Sequence, residues 1–155
     1  MNVGEFCFKY ERSDKDGKEK LVNDHVKKKY VDFAVKVSTC ENISKWALYD
    51  KEGRFMPNTP MLEMLFVVGV IPKYTDLTFD TSNNLHDYDV LIKTGAGSAL
   101  LNAIGEDAVR FKEILSMVVD DVVDHECDMI NYLNSLIIKL YDGINALEEM
   151  SDKTK

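Results

Sequence analysis

The chain has 155 residues, of which 45% are apolar and 10% aromatic, and this composition is sufficient for the core of one globular domain. Its net charge of −8 excludes a general nucleic-acid-binding protein, because phosphate binding requires clustered Lys and Arg side chains. We therefore expect no nucleic acid among the partners, and the absence of a long apolar run makes us expect no membrane either.

The N-terminal region predicts a β-hairpin. Phe6, Phe8 and Tyr10 occupy every second position, the spacing of a strand with one buried face. A turn is predicted from Asp14 to Gly17, where glycine can adopt the positive φ of a hairpin, and a second strand over residues 18–22. Because two strands alone are marginally stable, this hairpin is expected to lie at one edge of a larger helical body.

Two helices are predicted next. Apolar residues at helical spacing predict the first over residues 31–48. The second begins at Thr59 and Pro60, a capping residue followed by a residue that fits the first helical turn. It continues over residues 61–71, is apolar on nearly all sides and is expected to be the central buried helix. Pro72 is expected to end or kink it.

Three further helices complete the prediction. Two short ones are expected over residues 85–95 and 99–104, each ending at a glycine, and a long one over residues 106–150. Residues 151–155 are predicted to form a frayed polar tail, which leaves residues 1–150 as a single globular domain. The predicted fold class is mainly α: a compact helical domain with a long C-terminal helix packed across the other helices and a small N-terminal β-hairpin.

The long helix carries a wide apolar stripe. From Phe111 to Leu147 its apolar residues follow steps of three, four or seven along one side of the helix, with further aliphatic residues beside them. A helix of this kind must pack against another surface, within the chain or on another subunit. A homo-oligomer is therefore one of the expected partners.

An acidic cluster in the same helix is a candidate site. Asp121, His125 and Asp128 fall at positions i, i+4 and i+7, where an imidazole and two carboxylates could ligate a metal ion. The spacing matches neither the His-Glu-x-x-His zinc helix nor the Glu-x-x-His pair of di-iron bundles, so no cofactor is expected. The alternative is that Asp120, Asp124 and Asp128 line the outer face of the helix, where a protein partner could bind them.

Three aromatic residues form a second candidate site. Trp46, Tyr49 and Phe55 flank a turn at Gly53 and could form a recognition patch for a protein partner. The alternative is that they close over the core beside a loop, since aromatic residues bury large areas where helices meet. Both interpretations remain open from the sequence.

Other features of the sequence argue against an enzyme. No local pattern places a nucleophile beside a base, and Gly95 and Gly97 lack the lysine and the preceding strand of a phosphate-binding loop. The cysteines at positions 7, 40 and 127 fit neither a disulfide framework nor a zinc site. With no signal-peptide pattern and no apolar run long enough to span a membrane, the expected location is the cytoplasm of the producing cell.

Four local features stand in a recognisable order: the Asp-Gly turn, the Lys-Lys-Tyr-Val-Asp-Phe-Ala segment at 28–34, the Asn-Thr-Pro-Met helix start at 58–61 and the Tyr-Thr-Asp-Leu connector at 74–77. In these features the chain resembles small uncharacterised proteins of tailed phages and prophages of low-GC Gram-positive bacteria. It implies a role in virion assembly or host interaction, with a phage structural protein or a host protein as partner and the virion as a second location.

Three functions follow from these observations. The first is a non-enzymatic protein–protein interaction module, encoded by a phage and acting in head or tail assembly. The alternative is an acidic inhibitor of a host defence or nucleic-acid enzyme, of the anti-CRISPR type, whose carboxylates mimic DNA phosphates. The third, and least favoured, is a metal-binding helical protein.

Overall fold

The part of the chain that the structure describes contains seven α-helices joined by loops, and no residue there belongs to a β-strand. The computed structural model describes the backbone of residues 1–152 and the side chains of residues 1–141 and of Ile144. The predicted mainly α class and the long C-terminal helix are confirmed. The helices are α1 (Val3–Arg12), α2 (Lys15–His25), α3 (Phe33–Leu48), α4 (Thr59–Tyr74), α5 (Asn84–Thr94), α6 (Ala96–Ile104) and α7 (Glu106–Asp152).

The chain divides by its internal contacts into two units. The N-terminal unit, Met1–Val119, holds α1 to α6 and the start of α7, and the C-terminal unit, Asp120–Lys155, holds the rest of α7. A single domain over residues 1–150 stays a prediction. Of the predicted polar tail, residues 151 and 152 continue α7, whereas residues 153–155 lie outside the described residues, as does the side chain of Leu147.

The predicted N-terminal β-hairpin is wrong, because the segment forms α1 and α2 instead. Val3, Phe6 and Cys7 are fully buried and Tyr10 is half-buried, which is the spacing of one helix face. Phe8, which the strand pattern placed beside Phe6 on the buried face, is 55% exposed. The alternation of aromatic residues therefore does not reflect a strand, and the helical spacing of Val3, Phe6, Cys7 and Tyr10 determines which side chains are buried.

Capping residues explain why the turn prediction also fails. The Oδ1 atom of Asn2 accepts a hydrogen bond from the backbone N–H of Glu5 at 2.7 Å and caps α1. Asp14 caps α2 in the same way, through the N–H of Gly17 at 2.9 Å. Short polar residues favour both turns and helix starts, so the segment predicted as a hairpin turn is the first turn of α2.

Helix α4 is buried as predicted, but both of its ends differ from the prediction. Asn58, and not Thr59, is the N-cap residue, and its Oδ1 accepts from the N–H of Met61 at 3.1 Å. At the other end the helix runs through Pro72 to Tyr74. A proline in the last turn removes a single backbone hydrogen bond, and the burial of Tyr74 against the core stabilises that turn.

The short helices α5 and α6 end at glycines, as the sequence predicts. Gly95 has a φ of +73° and Gly105 a φ of +84°, a region that residues with a Cβ atom rarely adopt. These two turns bring α5, α6 and the start of α7 together around the core. The core joins Phe66 of α4 to Phe111 of α7, whose rings meet edge to face at 6.4 Å.

Candidate interaction surfaces

The apolar stripe of α7 has two different environments. In the N-terminal unit its side chains enter the core: Ala108, Phe111, Ile114 and Leu115 are buried. In the C-terminal unit the continuing stripe is exposed, with Ile137 at 63%. We call the exposed part the C-terminal stripe; it consists of Met129, Ile130, Leu133, Leu136, Ile137, Leu140 and Ile144.

The C-terminal stripe has the spacing of a coiled-coil seam. Met129, Leu133, Leu136 and Leu140 follow alternating steps of four and three, which correspond to the a and d positions of a heptad. Ile130, Ile137 and Ile144 recur at intervals of seven along the flank of this seam. The stripe is therefore wider than a minimal two-stranded seam and offers about three apolar positions per heptad to a partner.

The charge distribution of this segment favours an apolar protein partner. Between residues 129 and 141 the only charged residue is Lys139, so the surface lacks the basic face of helices that bind anionic lipids. Residues 120–128, which precede it, carry five carboxylates and would be repelled by such lipids. Another apolar helix is the surface that this segment matches.

The acidic residues lie on α7 next to the C-terminal stripe. Asp120, Asp124 and Asp128 are exposed and four residues apart, so they form one row along the helix. Asp121 and His125, the other members of the predicted metal site, are also exposed. Among the residues that the structure describes, no group of three or more His, Cys, Asp or Glu side chains is placed to hold a metal ion.

The three aromatic residues of the second predicted site separate into a pair and a single exposed ring. Tyr49 and Phe55 are half-buried and pack edge to face with centroids 5.8 Å apart. The loop between them is closed by Asp50, whose carboxylate accepts hydrogen bonds from two backbone N–H groups and from Nε of Arg54 at 2.6 Å. Trp46, by contrast, projects from α3 with 72% of its surface exposed.

Trp46 lies where two hollows meet. On one side it shares a hollow of about 820 Å³ with Tyr49 and with Met61 at the start of α4. On the other it shares one of about 550 Å³ with Ile43 of α3 and with the later part of α4 near Pro72. We call the two hollows together the Trp46 groove. Each of the two hollows by itself has a volume typical of a ligand site.

A buried polar cluster in the N-terminal unit was not predicted from the sequence. Lys36 of α3 is only 3% exposed, and its Nζ donates to Oδ1 of Asp107 at the start of α7. The second carboxylate oxygen of Asp107 accepts from the hydroxyl of Tyr74 at 2.6 Å and from the N–H of Val31 at 3.0 Å. The cluster therefore joins α3, α4 and α7 through one carboxylate.

The electrostatics of this cluster favour an ionised Asp107. Burial by itself would raise the pKa of Asp107, but the hydrogen bonds from Lys36, Tyr74 and the Val31 amide outweigh it, and the pKa lies below its ordinary value. The pKa of Tyr74 is raised, first by burial and then by its bond to the Asp107 carboxylate. None of the residues of the cluster lines either hollow beside Trp46, which indicates a structural role.

Sequence reasoning had no signal for this cluster. Lys36 falls inside a predicted helix, where a lysine is ordinarily solvated, and Asp107 falls in the first turn of α7, where an acidic residue is ordinarily explained by the helix dipole. Their pairing depends on the crossing of helices that are 71 residues apart in sequence. Only the tertiary structure supplies that information.

Comparison with known proteins gives no relative. The chain matches no protein-family model, no curated protein and no solved structure. In addition, none of the helices in the described residues is long and apolar enough to cross a membrane.

Proposed function

We propose that the protein is a non-enzymatic protein–protein interaction module that associates with copies of itself through the C-terminal stripe. The observation that carries this proposal is the exposure of seven aliphatic side chains at heptad spacing on one helix. Full burial of one such side chain contributes about 1.5–3 kcal/mol, so leaving all of them in water is costly. A contiguous exposed apolar surface is typical of a site that another surface covers.

A second copy is the partner that fits this stripe best. In a homo-oligomer the same seam meets itself, so the spacing of knobs and holes is matched automatically. The nearly uncharged character of residues 129–141 means that no like charges are forced together along this part of the contact. The acidic residues 120–128 lie beyond that contact and would remain in solvent.

Sedimentation equilibrium of the full chain tests the proposal with a matched pair of variants. Leu136→Asp places a charge inside the stripe, whereas Ile138→Asp places the same charge on a neighbouring exposed residue outside it. We expect the unaltered chain and Ile138→Asp to form a dimer or a higher oligomer, and Leu136→Asp to be monomeric while its N-terminal unit keeps the same unfolding free energy. The proposal would be contradicted if the unaltered chain were monomeric at about 100 μM. It would also be contradicted if the two variants changed the molecular mass in solution equally.

The setting of this association is a further part of the proposal. The sequence resemblance to phage proteins supports a role in the assembly of a phage head or tail, with the chain in the cytoplasm of the producing cell or in the virion. Proteins that co-purify with the chain from its native source test this role. Head or tail proteins are expected, and recovery of host enzymes alone would count against assembly.

A second candidate function rests on the exposed acidic row. Asp120, Asp124 and Asp128 could dock on the basic groove of a host nucleic-acid enzyme in place of DNA phosphates. Binding to such an enzyme would then weaken steeply with salt and would be lost when all three residues are changed to Asn. The stripe variant Leu136→Asp would leave this binding intact, which separates the second function from the first.

A further inference from the structure

The Trp46 groove is elongated, which is the shape of a peptide site. Helices α3 and α4 run in opposite directions along it, because the end of α3 shares one hollow with the start of α4, and Thr39 of α3 shares the other with Pro72 near the end of α4. On the α3 side, the lining of the groove extends from Thr39 to Tyr49. These residues are ten positions apart, which corresponds to roughly 15 Å along a helix.

The floor and the centre of the groove are apolar. Ile43, Leu65 and Val68 contribute aliphatic surface to the smaller hollow, and Met61 contributes to the larger one. Trp46 lines both hollows, so an apolar group placed in either of them would lie beside the indole. An exposed tryptophan beside concave apolar surface is the arrangement found at the energetic centre of protein interfaces.

The charge at the rim of the groove is positive. Lys45 and Lys51 line the larger hollow and Lys73 lines the smaller one. Within the described part of the chain none of the three lysines forms an ion pair. The one carboxylate in the larger hollow, Asp50, is already bound by Arg54 and by backbone amides, which also lower the pKa of that carboxyl group.

From this combination we propose that the Trp46 groove binds an acidic amphipathic peptide segment of a partner protein. Apolar side chains of the segment occupy the two hollows on either side of Trp46, and its carboxylates pair with Lys45, Lys51 and Lys73. A helical segment of about ten residues matches the length of the groove. The positive rim is notable in a chain with a net charge of −8, and it selects against basic peptides by repulsion.

The shape of the groove favours a peptide over a membrane surface. Anionic lipid would also be attracted by three lysines, but a bilayer cannot enter a concave groove between two helices. The peptide site is also independent of the C-terminal stripe, since all of its residues belong to the N-terminal unit. Failure of one proposal therefore leaves the other intact.

Selection from a random library of peptides about twelve residues long, displayed on phage and presented to the full-length protein, tests the site without knowledge of the partner. We expect the enriched peptides to combine an excess of Asp and Glu with Leu, Phe or Trp at helical spacing. They should lose binding to Trp46→Ala, a variant that keeps the fold because the side chain is largely exposed. No enrichment, enriched peptides that are basic, or binding that is equal in Trp46→Ala would overturn the proposal.

The affinity of one enriched peptide that contains no tryptophan then tests the lysines. Trp46 is the single tryptophan of the chain, so its fluorescence reports occupancy of the groove directly. The triple variant Lys45→Glu, Lys51→Glu, Lys73→Glu should weaken binding by about 30-fold or more and remove most of its salt dependence. The control is the triple variant Lys20→Glu, Lys28→Glu, Lys93→Glu, which makes the same change of net charge at exposed residues outside the groove and should change binding by less than about twofold at physiological salt.

Two results of this titration would contradict the proposal. One is equal weakening by the two triple variants, which would reflect net charge alone. The other is binding of vesicles of anionic phospholipid that also depends on Trp46, which would identify the site as a lipid surface. The oligomeric state should be the same in Trp46→Ala and in the unaltered chain.

Discussion

Helix α7 passes through two regions that share one sequence pattern and differ in environment. In the N-terminal unit its apolar residues lie inside a core built from six other helices, and Ile114 is 2% exposed. In the C-terminal unit residues with the same periodicity are exposed. Helical periodicity therefore identifies which side of α7 needs a partner, but it does not say whether that partner belongs to the same chain.

The two regions also differ in how their polar residues are used. The N-terminal unit ties three helices together through the carboxylate of Asp107, with Lys36 and Tyr74 as buried donors. In the C-terminal unit Asp120, Asp124 and Asp128 are exposed to solvent. The first arrangement fixes how three helices cross, whereas the second places a row of charges in solvent.

Among the substitutions considered, removal of the Asp107 carboxylate should lower the unfolding free energy of the N-terminal unit most. Asp107→Ala leaves Lys36 buried without a counter-charge and leaves the donors of Tyr74 and Val31 unpaired, so we expect a loss of about 3–5 kcal/mol in unfolding free energy. Chemical denaturation followed by circular dichroism measures it. Asp124→Ala is the control and should stay within about 0.5 kcal/mol, as an exposed substitution does.

A matched pair of isoleucines compares the two environments of α7 directly. Ile114→Ala creates a cavity in the core and should cost about 2–5 kcal/mol in the N-terminal unit. Ile137→Ala removes the same atoms from an exposed position and should leave the stability of that unit unchanged while weakening self-association. Equal losses of unfolding free energy from the two variants would show that the difference in burial has no energetic consequence.

Acid should destabilise the N-terminal unit through Asp107. Because the pKa of this carboxyl group is lower in the folded state than in the unfolded chain, its contribution is fully present above the unfolded value of about 4 and is lost as pH falls through the folded value. Stability measured between pH 7 and pH 3 should therefore fall less steeply in Asp107→Asn than in the unaltered chain. If the unfolding free energies of the two proteins fell equally with pH, Asp107 would not have the role assigned to it.

The smallest expected effect on stability is that of a substitution at Gly69, which tests the packing of α4 against α3. A Cβ atom added there would lie 3.5 Å from Cδ1 of Ile43, an ordinary contact between α4 and α3. Because glycine is unfavourable inside a helix, we expect Gly69→Ala to raise the unfolding free energy by about 0.5–1 kcal/mol. Gly95→Ala, at a φ of +73°, should lower it instead, and thermal unfolding of both variants would show the opposite signs.

Local signals in the sequence predict much of this fold. Helices α3 and α7 follow from apolar periodicity, and α4 follows from the start signal at Thr59 and Pro60 and the apolar run after it. Gly95 and Gly105 mark the ends of α5 and α6. The N-terminal region fails because Phe6 and Tyr10 satisfy a strand period and a helix period at once, and the caps at Asn2 and Asp14 resemble turn residues. When a short segment fits both periods, tertiary packing determines whether it forms a strand or a helix.

The candidate sites were predictable to a smaller extent. The residue type and the neighbourhood of Trp46 predict a partner-binding residue, and this stays a prediction, whereas the groove beside it needs α3 and α4 to pack side by side. The contribution of Lys73 follows from the same packing, since it lies 22 residues after Lys51 in the sequence. Surfaces that are assembled from separate helices carry no local signature in the chain.

Hydrogen exchange at several protein concentrations tests most directly whether another copy covers the C-terminal stripe. If it does, the backbone amides of residues 129–144 should exchange slowly in concentrated protein and faster on dilution, because an isolated helix is only marginally stable in water. Amides of α4 should exchange at the same rate throughout. Exchange over residues 129–144 that does not depend on concentration would contradict self-association through this stripe.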